Sequence, residues 1–299
     1  MRGRQLVDYL GLAVIWGLSF LLVLRTVQAF GWAGAVAFRA LTAGAVLVVA
    51  ARVTGRRLTF GPWRPLAVVG ATTVAGQLVG LSVATPLIGT AMAAIFVAII
   101  PLFSLVIGHW WGVERVTAAG RVGLVLGLVG VVLLVGFPAV PVTGAFVTGC
   151  VASVLSAVAA AFGSNYARLH LRAVGSWEQT IGAFGVGGLL LLPVLLVRPV
   201  PGRPELADYG YLLALASACS ALAYVLYFRL VAEVGATTAV SVEFLVTAVA
   251  VGVGAVVLGE RLTAAQLAGG ALVVTGCALV LGLLPLRRPG RRPGRRSGP

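Results

Sequence analysis

The chain has no lysine, and all 22 of its basic residues are arginine. A Gly-x4-Gly-Lys phosphate loop, a Schiff-base lysine and a Ser-x-x-Lys nucleophile are therefore excluded. Charge of either sign is scarce, at 10% of 299 residues, where a soluble domain carries about 25%. With 60% hydrophobic residues and a mean hydropathy of +1.07, the chain would present large apolar patches to water. A water-soluble enzyme and a nucleic-acid-binding domain are excluded on that ground. The three cysteines, Cys150, Cys219 and Cys277, stand singly in apolar runs without Cys-x-x-Cys spacing. They read as packing residues, so no disulfide, metal site or cofactor is expected. Only two histidines occur, and no His-Glu-x-x-His or Gly-x-Ser-x-Gly string is present. An intramembrane enzyme would thus lack a catalytic cluster.

What is there is apolar helix. A membrane-spanning helix takes about 20 apolar residues, so ten of them use about 200. Breaks in the apolar pattern predict segments near 7–27, 31–52, 64–84, 88–111, 120–137, 144–168, 178–197, 208–230, 236–258 and 264–284. The run from Tyr9 to Leu24 leads straight into further segments, so it reads as an uncleaved first helix rather than a leader. The net charge of +14 is concentrated at the ends of these segments and in a final stretch. Residues 285–299 hold six Arg between Pro-Gly pairs and are expected to be a disordered basic tail against anionic lipid headgroups. With the N-terminus inside, the inner connections and ends carry 17 Arg and the outer ones four; Arg39 remains within the second segment. That asymmetry predicts both termini in the cytoplasm.

The two halves repeat. At an offset of 146 residues, Glu114-Arg115-Val116-Thr117-Ala118-Ala119 falls on Glu260-Arg261-Leu262-Thr263-Ala264-Ala265. Gly17, Gly89, Gly123, Gly130 and Gly136 fall on Gly163, Gly235, Gly269, Gly276 and Gly282, and Trp16 on Phe162. Each half holds five segments, an odd number, so the second half must enter the membrane from the opposite side. The predicted fold is all-α and integral to the membrane, with ten transmembrane helices in two inverted five-helix repeats, residues 7–137 and 144–284. Inverted repeats are the architecture of alternating-access carriers, with substrate held near midplane between the halves.

Several strings resemble one family. Trp16-Gly17-Leu18-Ser19-Phe20, Phe38-Arg39, Pro101-Leu102-Phe103, Glu114-Arg115-x-Thr117 and Leu258-Gly259-Glu260-Arg261-Leu262-Thr263 are similar to EamA-type members of the drug/metabolite transporter superfamily. The likeness runs from about residue 7 to 284. It implies a ten-helix carrier, often an exporter of amino acids, other small metabolites or drugs. It also implies a central cavity lined mainly by segments 1, 3, 4, 6, 8 and 9, with 5 and 10 peripheral. Many members carry Glu-Pro thirteen or fourteen residues before the second Glu-Arg. Here Val246 and Thr247 stand at those places, and the carboxylate, Glu243, lies three residues earlier.

Seven of the eight acidic residues lie at segment ends or in connections; Glu243 alone is well inside a segment. A charge there costs several kcal/mol, so the acid faces a cavity, pairs, or stays protonated. Arg39 is the matching deep cation. It either pairs with Glu243, binds an anionic substrate group, or reaches backbone carbonyls. Trp16, Ser19, Gln77, Asn165 and Tyr224 complete the candidate substrate-binding or coupling set; Thr72, Thr73, Tyr166 and Tyr227 are weaker candidates. The expected function is secondary active transport of a small metabolite, outward, at the inner (plasma) membrane. A lipid or lipid-linked-sugar translocase of the same fold is the alternative. The expected partners are a small-molecule substrate, coupled protons, anionic lipid and a second copy as a homodimer, with no nucleic acid. The topology is tested by impermeant thiol labelling. Leu262→Cys is expected to react from outside and Val116→Cys only from inside; the reverse pattern would overturn the inverted repeat.

Overall fold

A computed structural model describes residues 3–112, 117–136, 141–259, 261–280 and 283–284. The Glu114-Arg115 pair, Glu260 and the basic tail lie outside the described residues. Among those described the protein is helical and has no strand. The elements are α1 (Gly3–Val53), α2 (Trp63–Val69), α3 (Gln77–Ile88), α4 (Thr90–Val97), α5 (Ile100–Trp110), α6 (Ala118–Gly136) and α7 (Gly144–His170). They continue as α8 (Ser176–Leu191), α9 (Val194–Val197), α10 (Leu206–Ala216), α11 (Ala223–Val234), α12 (Ala236–Val240), α13 (Glu243–Val257) and α14 (Ala264–Val280). Two π-helical stretches are continuous with their neighbours: Gly70–Gly76 joins α2 to α3, and Ser217–Leu222 joins α10 to α11.

Six of the resulting rods are long and apolar enough to cross a membrane: Arg4–Val53, Trp63–Ile88, Thr90–Trp110, Gly144–His170, Ser176–Val197 and Leu206–Val234. Three shorter apolar stretches, Ala118–Leu133, Glu243–Val257 and Ala264–Gly276, accompany them. α1 is two helices that meet at Gly31, whose φ of 68° and ψ of 165° are not helical. Apolar side chains point outward as well as inward: Val125, Leu128 and Val132 of α6 are all more than 60% exposed. An outer face of that kind suits lipid, where backbone polar groups must be paired within the helix itself.

The 146-residue spacing reappears in the backbone. The π-helical stretches at 70–76 and 217–222 nearly superpose at that offset. Gly89 and Gly235 share it too, with φ of 84° and 92° and ψ of 162° in both. Each ends one helix and begins the next in a region that a Cβ disfavours, so glycine is needed at both places. The halves then diverge. α4 runs eight residues before a turn at Ala98–Ile99, but α12 runs only five before a turn at Ser241–Val242. That earlier break makes Glu243 the first residue of α13, whereas Val97, its partner at the repeat offset, ends α4.

Helix contacts rest on small residues, because lipid supplies little hydrophobic drive between helices and close packing must replace it. α6 and α14 pack together reciprocally. A methyl group at Gly130 would stand 2.6 Å from the carbonyl oxygen of Gly269, and one at Gly276 would stand 2.5 Å from that of Gly123. Those four glycines are two pairs at the repeat offset, so the contact repeats itself about its own centre. α3 meets α7 where Gly80 abuts Ser156 and the carbonyl of Ala152. Gly130→Leu is therefore expected to destabilise the protein by about 1–3 kcal/mol through overpacking. Gly252, with open space beside it, provides the control. Gly252→Ala is expected to hold or raise the melting temperature in detergent, measured beside Gly130→Leu.

Candidate functional site

One cavity lies inside the bundle. Its walls are Trp16, Ser19, Phe20 and Val23 from the first half of α1, Arg39 from its second half, and Gln77, Leu78, Leu81 and Thr85 from α3. Val97 of α4, Tyr224 of α11, and Glu243 and Val246 of α13 close it. The α3 residues recur at helical spacing, so one stripe of that helix faces inward. The space is about 40 Å³, room for a few water molecules. Small-molecule sites run to about 300–1,000 Å³, so this conformer is contracted and substrate entry requires the helices to part.

Arg39 is buried and anchored on the π-helical stretch before α11. Its Nε donates to Ser220 Oγ at 2.5 Å, and its Nη2 donates to the Cys219 carbonyl at 3.5 Å. The same carbonyl accepts from Trp16 Nε1 at 3.1 Å. Ser220 Oγ donates onward to the Leu215 carbonyl, five residues back, at 3.0 Å. The π turn thus gathers a carbonyl and a hydroxyl into one acceptor site for both halves of α1. π turns of this kind occur mostly as single-turn insertions at functional sites.

Glu243 is 4% exposed and faces the cavity. Among the described residues neither an ion pair nor a side-chain hydrogen bond engages its carboxylate. Its position at the start of α13 places the acid at the positive end of that helix, which favours a negative charge. Below it, Thr247 Oγ1 lies 2.7 Å from the Glu243 carbonyl and 2.9 Å from that of Ala94, joining α13 to α4. No Arg39–Glu243 ion pair forms: the guanidinium is held by Ser220 and Cys219 instead. Of the roles open to Arg39, a reach to backbone carbonyl is the one the structure displays, leaving part of the guanidinium on the cavity wall.

An aromatic wall completes the site. The Trp16 ring lies 5.3 Å from Tyr224 and 5.3 Å from Tyr227, and Phe184 lies 4.8 Å from Tyr224. Tyr224 Oη donates to Gln77 Oε1 at 3.4 Å, and Ser156 Oγ donates to the Gln77 carbonyl at 2.8 Å.

Six of the seven candidate residues, Glu243, Arg39, Trp16, Ser19, Gln77 and Tyr224, thus meet at one cavity, and Asn165 does not. Asn165 Nδ2 donates to Ser104 Oγ at 2.8 Å, the Ser104 carbonyl at 3.3 Å and the Ala161 carbonyl at 3.0 Å. The implied lining also needs correction. The second half of α1 contributes Arg39, and α7, the sixth predicted segment, contributes nothing. Tyr227 is turned to Ser164, Tyr166 stacks on His170, and Thr72 and Thr73 lie between helices. Phe20, Val23, Leu78, Leu81, Thr85, Val97 and Val246 were not anticipated as lining. The stripe through Gln77 was the available signal for the α3 residues.

Similar proteins point to a membrane transporter. The EamA-like transporter family matches residues 6–136 and again 147–282. The chain belongs to this family. Protein PecM of Dickeya dadantii (strain 3937) is 27% identical to it over 270 residues, which is 89% of this chain and 88% of that one. The uncharacterized inner membrane transporter YedA of Escherichia coli (strain K12) is 27% identical over 301 residues, 94% of each chain. A crystal structure at 20% identity shares the fold with a TM-score of 0.71, covering 95% of this chain and 99% of that one. The family and the relatives' names support a membrane transporter.

The Arg39 anchor predicts a graded series. Losing the charge-assisted hydrogen bond to Ser220, worth about 1.5–3 kcal/mol, should cost Arg39→Leu about tenfold or more in transport. Arg39→Lys keeps the charge but lacks the planar fork that reaches two oxygens, and should fall between. Transport by expressing cells, normalised to protein in the membrane, measures this; full transport by Arg39→Leu would reduce Arg39 to packing.

Proposed function

We propose that this protein is a secondary carrier of a small metabolite, amino acids foremost, working outward by alternating access across the inner membrane. The observation that carries the reading is Glu243: a buried carboxylate on a central cavity with no hydrogen-bond or ion-pair partner among the described residues. Such a group costs several kcal/mol when charged in a membrane interior and so is suited to exchange a proton or receive a cationic substrate group. Arg39, on the same wall, presents the complementary charge to an anionic group.

The reading includes ten crossings in two inverted five-helix halves, with residues 7–137 and 144–284 as the repeats and both termini cytoplasmic. Counting α1 as two crossings at Gly31, the helical rods and the shorter apolar helices make up that number. The duplicated π turns, the duplicated Gly89 and Gly235, and the double family match support the halves. The arginine asymmetry supports the orientation, with the basic tail against anionic lipid. The likeness to YedA, an inner membrane transporter, supports the location. The chain has no lysine for an ATP-binding loop, so the driving force is an ion or substrate gradient.

Amino-acid uptake into proteoliposomes under an imposed pH gradient tests the role of Glu243. Glu243→Gln keeps size and hydrogen bonding but removes titration. It should abolish gradient-driven accumulation while sparing exchange if the acid couples protons, and abolish both if it holds a substrate amine. Unchanged concentrative uptake with an unchanged pH profile would make Glu243 structural.

A further inference from the structure

At the 146-residue offset, the cavity-lining residues sort into two groups. Leu78 corresponds to Tyr224 and Val97 to Glu243, and all four line the cavity. Ser19 corresponds to Asn165 and Leu81 to Tyr227, yet neither of those partners lines it. Asn165 and Tyr227 are instead 1% and 3% exposed, joined through Ser164, which is next to Asn165 and shares a 2.5 Å hydrogen bond with Tyr227 Oη.

Their place in the bundle is informative. Three polar links tie the first turns of α1 to the end of α11 and the turn before α13. Gln5 Nε2 donates to Glu233 Oε2 at 3.0 Å, Arg229 pairs with Asp8 at 3.2 Å, and Tyr9 and Ser241 hydroxyls lie 2.7 Å apart. This latch closes the end of the bundle that carries residue 3. The cavity reaches the other way, to Val23 and to Thr85, one turn from the end of α3. Tyr227 lies within two turns of the latched end of α11, and Asn165 within two turns of the end of α7, whose Arg168 guanidinium lies beside Gly235, just past α11. Among the described residues Asn165 Oδ1 is buried there without a hydrogen-bond partner, although its Nδ2 donates three times. A buried acceptor left unmade is costly in a permanently closed interior.

Halves related by inversion exchange roles when a carrier turns over. What Ser19 and Leu81 do for one face, their partners then do for the other. We propose that Asn165 and Tyr227 line the access path of the oppositely facing conformer, with Leu78, Val97, Tyr224 and Glu243 the centre common to both. The assignment rests on the alternating-access reading. It also gives the unpartnered Asn165 oxygen a partner: water or substrate, once the latch opens.

Single cysteines test it in proteoliposomes. Ser19→Cys, Asn165→Cys and Tyr227→Cys are placed in a background with Cys150, Cys219 and Cys277 changed to Ala, and probed with a membrane-impermeant methanethiosulfonate from each face. Opening the latch with Asp8→Asn should raise labelling of Asn165→Cys and Tyr227→Cys several-fold from the face carrying the N-terminus. It should lower labelling of Ser19→Cys from the opposite face. A bifunctional maleimide joining Gln5→Cys to Glu233→Cys should abolish the first signal and preserve the second. If Ser19→Cys responds to the latch while both partners stay unlabelled, the assignment is overturned and alternating access stands. If Ser19→Cys is also indifferent to the latch, alternating access fails. Should Asn165→Cys not reach the membrane, Tyr227→Cys carries the same comparison.

Discussion

A guanidinium buried among apolar helices has to find oxygen, and Arg39 finds it on a carbonyl and a hydroxyl of the π turn at Ser217–Leu222. Much of the site follows from that requirement. The π turn draws both halves of α1 to one place, because Trp16 bonds the same Cys219 carbonyl. With Trp16 fixed, Tyr224 and Tyr227 pack on its ring, and Tyr224 leans on Gln77. Arg39 is thereby kept from Glu243, and the cavity retains a carboxylate that no described residue neutralises. In water such an arrangement would be ordinary; in an apolar interior each unpaired group is held against a penalty of several kcal/mol.

Small residues set the rest of the architecture. Gly130, Gly276 and their neighbours let α6 and α14 touch backbone to backbone, and Gly80 does the same for α3 on α7. These contacts are made away from the cavity, so the scaffold stays closely packed while the helices around Glu243 have polar links that can exchange. The latch between α1, α11 and Ser241 consists of one ion pair and two hydrogen bonds. Links of that strength suit a reversible closure, since partial exposure keeps each worth little on its own.

Duplication gave the two halves a common backbone, but not a common chemistry. Gly89 and Gly235 keep the same turn. The second half then breaks three residues sooner, at Ser241–Val242 rather than Ala98–Ile99, and begins a new helix on an acid. Arg39 corresponds to Gly185, and Glu243 to Val97. Each half therefore brings one charge to the centre: the first a cation, the second an anion. That difference gives the site a polarity that a perfectly repeated sequence would lack.

The helical membrane class, the family and six residues of the cavity wall were legible in the residues. Long apolar runs have few ways to satisfy their backbones in lipid, and a deep charged or amide side chain must face inward, which is why Arg39, Glu243 and Gln77 stood out. Asn165 stood out for the same reason, yet its inward face meets Ser104 and Ala161 rather than the cavity. Polarity shows that a side chain avoids lipid; it does not distinguish a cavity from a helix–helix contact. Whether Arg39 pairs with Glu243 was equally beyond the sequence, because helix rise gives depth but not azimuth. The π turn decided it, by rotating Ser220 and the Cys219 carbonyl to where the guanidinium ends. Such a turn is one extra residue in a helix, without a compositional mark, and only packing against α1 determines which oxygens it presents.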